Sequence, residues 1–227
     1  VIYSQARSGI QHLYALKTLF TESPRHTRGF FDATQVQAAQ QEMLAAHHDF
    51  IRLEQKLSND PAITLTSGLL PQQVTSLRAL SQIGIDATAI GQQVLHTLPE
   101  LAPALYGSTQ ANIEQPLVTQ HTLDLLRQSL DYALPHIANI QSQATQVTPE
   151  TLPINAQQRQ QLTDLLQAIP LAHSGLLEVR EQLNAIGWLL GVDSPRTLLI
   201  QTMDRAEIRP TGALRASSAN CPSIMGA

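Results

Sequence analysis

Apolar side chains recur along this chain at alternating steps of three and four residues, which places them on one stripe of a helix with 3.6 residues per turn. The clearest run is Val36, Ala39, Met43, Ala46, Phe50, Leu53, Leu57. Asp32 or Thr34 can cap its start by accepting from free first-turn amides, and Asn59-Asp60-Pro61 ends it because proline cannot continue the ladder. The same beat returns at Leu80, Ile83, Ala87, Ile90, Val94, at Leu123 through Ala144, and at Leu176, Val179, Leu183, Ile186, Leu190. A less regular segment, Ile2 to Phe20, and a shorter one, Asn155 to Ile169, bring the expected number of helices to five or six.

Several of these runs exceed the usual helix of about 11 to 12 residues, and the connectors are long enough to let the chain double back. The fold class that follows is mainly α: an elongated antiparallel helical bundle, partly coiled-coil in its packing, with one short C-terminal strand. Pro135 lies inside one pattern and predicts a kink, and Pro170 separates two others and predicts a kink or a break. Gly191 is placed to cap the last helix, with Pro195 blocking its continuation. Beyond it, Thr197 to Met203 is short, apolar and partly β-branched, which reads as a buried strand opening a second domain. The expected organisation is a helical bundle or stalk over 1–193, the start of a truncated domain over 194–212 and a tail over 213–227.

Composition sharpens this picture. Apolar residues make up 43% of the chain but aromatics only 4%, so the core is built from Leu, Ile, Val and Ala. Most surface polarity comes from glutamine, since Lys17 and Lys56 are the only lysines. A net charge of −4 without basic clusters gives no reason to expect a nucleic-acid partner. Cys221 is the single cysteine, which leaves neither an internal disulfide nor a cysteine-based metal site. No apolar run reaches the roughly 18 residues of a membrane span. The chain opens with Val inside a helical pattern, so an upstream segment, including any membrane anchor, is expected to precede it.

The chemistry-bearing residues form no complete catalytic, cofactor or metal constellation. His47 and His48 are adjacent on a helix and point about 100° apart, so they cannot readily grip one ion, and a solvated surface pair is expected. Neither Glu42 nor Glu54 has a histidine three positions later, as a di-iron bundle requires. No Gly-x-Ser-x-Gly elbow is present. Gly84, Gly91 and Gly187 lie inside helical patterns, where close helix contact accounts for them, and Trp188 is expected to close the end of the core.

The stretch from Arg196 to Gly212 resembles the opening of the bacterial domain-of-unknown-function family 4012, in which an apolar strand is followed by a pattern like N-x-x-E-L-R-P-T-G-G-F. Asp204, Glu207, Arg209, Pro210, Thr211 and Gly212 occupy the matching positions, with Asp204 where the family has Asn. Glu207 and Arg209 share a face of an extended segment and suit a turn-stabilising pair. At Gly212 the match stops. One coding of Gly212 to Pro222 with a single inserted G reads G-G-F-T-G-Q-F-G-E-L-S, so residues 213–227 are expected to be out-of-frame sequence, disordered or poorly packed.

The resemblance implies an extracytoplasmic location, with membrane attachment through an upstream anchor. The leading expectation for function is a non-catalytic stalk or interaction module of an envelope protein, with a protein partner or self-association through its helices. Two alternatives are the spacer of an enzyme that modifies an envelope polymer, and a bundle that senses a small ligand between its helices. A spacer calls for a continuous aliphatic core, a sensor for a polar-lined cavity.

Overall fold

The computed structural model describes residues 8–13, 15, 33–61, 63, 68–106, 119–191, 197–201 and 218–222. Four long helices carry the architecture: α1 (Ala33–Asn59), α2 (Pro71–Tyr106), α3 (Gln120–Ala144) and α4 (Ala156–Leu190). A helical segment at 8–13 precedes them, and a single 3-10 turn, Pro149–Thr151, sits between α3 and α4. At 1.5 Å per residue the 36 residues of α2 span about 54 Å, so the bundle is elongated.

Each helix packs antiparallel on the next in sequence. The stripe read from the sequence of α1 is its buried face: Val36, Ala39, Met43, Ala46, Phe50, Leu53 and Leu57 are all buried. It meets α2 in two clusters, one around Phe50, Leu53, Leu57 and Val74 and one around Ala39, Met43 and Leu95, with Leu13 of the 8–13 helix packed against both. On its other side α2 joins α3 and α4, where Ile137, Ile140 and Ile169 bury against Ile83, Ile90, Leu166 and Leu176. Leu123, Leu130 and Leu183 extend this seam between α3 and α4. Helix α2 is therefore shared by two three-helix cores.

The glycines of α2 explain how α1 comes so close. A Cβ on Gly84 would fall 2.5–2.7 Å from the ring of Phe50, and one on Gly91 would overlap Met43. Both are notches that receive a side chain of α1, worth the roughly 1 kcal/mol that a mid-helix glycine costs against alanine. Between α3 and α4, Val147 and Leu152 plug the end of the core beside Ala79, and Ser76 Oγ accepts from Thr148 N at 3.0 Å.

The caps match the chemistry of their sequences. Thr119 Oγ1 accepts from Thr122 N at 3.2 Å at the start of α3. Asn155 and Gln158 form a reciprocal capping box at the start of α4. Gly191 ends α4 in the left-handed region at φ 67°, as its position predicts. Of the two candidate caps for α1, Thr34 lies inside the helix and Asp32 lies outside the described residues.

Three expectations change. Pro170 does not break the chain: the two patterns on either side of it belong to one 35-residue helix, and Pro135 likewise lies within the single helix α3. A proline removes one hydrogen bond, and turns anchored in the core on both sides, by Ile169 and Leu176, carry the helix across the gap. Trp188 does not close the core but is 56% exposed. Gly187 is the buried neighbour, Trp188 points about 100° away from it, and α3 offers no buried residue before Leu123, which is level with Leu183. The strand expected over Thr197 to Met203 is Thr197–Gln201, and it pairs antiparallel with Ser218–Pro222, from Thr197 opposite Pro222 to Gln201 opposite Ser218. Those five residues lie in the segment expected to be disordered. A lone strand presents unpaired backbone groups that accept a partner with little regard to its sequence.

Candidate functional site: a polar seam across three helices

The polar groups with chemical potential lie where helices meet. Asp86 on α2 is 5% exposed, the one acid in the run Ile83-Gly84-Ile85-Asp86-Ala87. Its Oδ1 accepts from His136 Nδ1 of α3 at 2.7 Å, and its Oδ2 from Asn139 Nδ2, one turn further along. Two charge-assisted bonds and a potential counter-charge are what a buried carboxylate requires. Tyr132, one turn before His136, holds the imidazole from the side with ring centroids 4.8 Å apart. The bond to Asp86 fixes the tautomer of His136 with its proton on Nδ1.

A second strand of the seam runs from α2 to α1. Thr88 is fully buried and gives its hydroxyl proton to Gly84 O at 2.7 Å or Ile85 O at 2.9 Å, so it accepts from His47 Nδ1 at 2.8 Å. Burial lowers the pKa of His47 below 6.5; His48 and His136 push in the same direction, and the Ile85 backbone and Asp86 oppose them. The expected solvated His47–His48 pair is thus half right. His48 is exposed, whereas His47 faces α2, because adjacent helical residues cannot share a face.

Other pairs repeat the pattern. His12 Nδ1 meets Glu42 Oε2 at 2.6 Å, tying the 8–13 helix to α1. Buried Ser81 of α2 donates to Glu54 of α1, and Arg78 Nη2 donates to Leu57 O at 2.8 Å. His173 of α4 bonds Gln141 Oε1 of α3 at 2.7 Å.

Two grooves flank this seam. One, about 410 Å³, lies over α2 between α1 and Tyr132 of α3, with Gln40, Leu44, Gln92, Gln93 and His96 along it. Gln92 Nε2 is buried there and meets no acceptor among the described residues. The other, about 270 Å³, is apolar and runs between Leu80, Ile83 and Ala87 of α2 and Leu165, Ala168 and Ala172 of α4, over Ile137 and Ile140 of α3.

An aspartate-oriented imidazole is the base half of a hydrolytic triad, but no hydroxyl or thiol bonds His136 among the described residues, where its one hydrogen-bond partner is Asp86. Among those residues no group of three or more His, Cys, Asp or Glu side chains is placed to hold a metal ion. Asp86, His136 and Thr88 are site residues that sequence reasoning does not single out. The signal was available in Asp86, an acid on the apolar side of an amphipathic helix. Asp204, Glu207, Arg209, Pro210, Thr211 and Gly212 lie outside the described residues.

Comparison of the chain with protein-family models, with curated proteins and with solved structures finds no match.

Proposed function

We propose that this chain is a non-catalytic helical stalk or interaction module of a membrane-anchored bacterial envelope protein, lying outside the cytoplasm. The observation that supports it best is the use to which its reactive side chains are put. Asp86 with His136, His47 with Thr88, His12 with Glu42 and Glu54 with Ser81 each join one helix to another. Paired in this way, imidazoles and carboxylates fix helix register across aliphatic cores. The envelope placement comes from the resemblance of Arg196 to Gly212 to family 4012. No helix among the described residues is long and apolar enough to cross a membrane. In this reading an enzyme that modifies an envelope polymer uses the bundle only as a spacer.

Replacing the bundle in the full-length gene by an unrelated antiparallel bundle of equal length tests the stalk reading. Retained function in the host is the expected result. Loss of function, with the chimera folded and correctly exported, sinks it.

A ligand-sensing reading has one observation in its favour, the groove beside Gln40, Gln93, His96 and Tyr132, at whose edge Gln92 Nε2 meets no acceptor among the described residues. A thermal-shift screen of neutral polar metabolites separates the two. A hit that raises the melting temperature and is lost in Gln93→Ala supports sensing; an empty screen supports the stalk.

A further inference from the structure

Helix α4 carries two apolar stripes, and the described residues cover only one. Leu162, Leu166, Ile169, Leu176 and Leu183 face the core. A second series, Leu165, Ala168, Ala172, Gly175, Val179, Gln182, Ile186, Leu189, is spaced alternately by three and four residues over three heptads. Its bulky members are 42–60% exposed. Such a sustained heptad stripe is the pattern of a helix that pairs with another helix.

Gly175 makes the point independently. Gly84 and Gly91 are each filled by a side chain of α1, but a Cβ on Gly175 would meet nothing within 4 Å. A glycine in the middle of a long helix weakens it, and here no described residue uses the space that it frees.

We infer that α4, with the adjoining wall of α2, is the interface of an antiparallel homodimer. This deepens the interaction-module reading and rests on it. Three arguments select a second copy as the occupant. The first is length: the stripe from Leu165 to Leu189 runs for about 36 Å, flanked over its first turns by the α2 wall of Leu80, Ile83 and Ala87, and a heptad stripe sustained over about three heptads is enough for a helix to pair along. The second is charge: no stripe position is ionisable, so the face meets its own copy without a buried like-charge pair. The third is size. With a two-fold axis at the level of Leu177, Ala168 meets Ile186 of the second copy, Ala172 meets Gln182 and Gly175 meets Val179, small against large, and Leu165 meets Leu189 at the two ends of the seam.

Sedimentation equilibrium of the whole chain tests this. The expected mass is twice 24.8 kDa. Gly175→Glu sets a charged side chain against Val179 of the second copy and raises the dissociation constant at least about 100-fold. Because no described residue occupies that space, helicity and melting temperature of the dissociated chain do not fall. Glu178 sits beside its own copy at the axis, so Glu178→Gln tightens the dimer about twofold. A 24.8 kDa monomer at every concentration reached, or a dimer indifferent to Gly175→Glu, overturns the inference. A dimer weakened by Glu178→Gln overturns the antiparallel arrangement. A monomer leaves the spacer exchange unaffected, so the stalk reading stands or falls separately.

Discussion

At the scale of single residues, the contact between Gly84 and Phe50 sets two effects against each other. Helix propensity favours alanine over glycine by about 1 kcal/mol, but the new methyl would lie 2.5–2.7 Å from the Phe50 ring. Phe50 is buried among Ala46, Leu53 and Leu57 and has no room to retreat, so overpacking wins. Gly84→Ala is expected to lower stability by about 1–3 kcal/mol in urea denaturation. Adding Phe50→Leu to it should recover part of the loss. Additive effects of the two substitutions would show that the notch is not what holds α1 to α2.

His47 gives a residue-scale prediction in pH. Its folded pKa lies below the unfolded value of 6.5, because burial disfavours the imidazolium. In that case the unfolded chain binds more protons than the folded one as the pH drops below 6.5. The contribution of neutral His47 is therefore complete above that value and is lost as pH falls through the folded pKa. His47→Gln, which keeps a donor for Thr88, should flatten the acid limb of the stability curve relative to the parent chain. Equal slopes for the two proteins in chemical denaturation between neutral and mildly acidic pH would show that His47 titrates freely. The glycine notches were legible beforehand because only close packing justifies glycine in a helix. The partners of Asp86 were not, since His136 and Asn139 stand 50 and 53 residues away and only the register of α2 against α3 brings them to it.

At the scale of elements, periodicity carried most of the information, and the stripe of α1 is buried position for position. What it did not carry was where one helix ends and another begins. Pro170 reads as a boundary when only its own cost is considered, about 3 kcal/mol in a helix interior. The energy of α4 is instead set by core contacts on both sides of that turn, at Leu162 and Leu166 before it and Leu176 and Leu183 after it. Tertiary burial overrides local propensity where a helix is long enough to be anchored twice. It follows that Pro170→Ala, at an exposed position, restores the missing bond to Leu166 O and should stabilise the chain by about 1–3 kcal/mol. A melting temperature that falls would mean that the proline relieves a constraint in the α4 path.

At the scale of the whole molecule, the sequential packing has a consequence for how stability is distributed. Helix α2 is shared by both cores, flanked by α1 on one side and by α3 and α4 on the other, whereas among the described residues the last turns of α4 rest on α3. Opening α1 costs one interface and opening α4 costs another, but exposing the amides of α2 requires both to open. Local free energies of opening follow the number of interfaces that must be broken. Native-state hydrogen exchange should therefore find the slowest amides in the middle of α2, around Asp86 to Ala89, and the fastest helical ones in α4 beyond Leu183. Should the end of α4 be as protected as α2 in a dilute, monomeric sample, something within the chain must cover the Leu165 to Leu189 stripe. If that protection appears only as concentration rises, the cover is the second copy, and the same amides then report the dimer from within the helix that forms it.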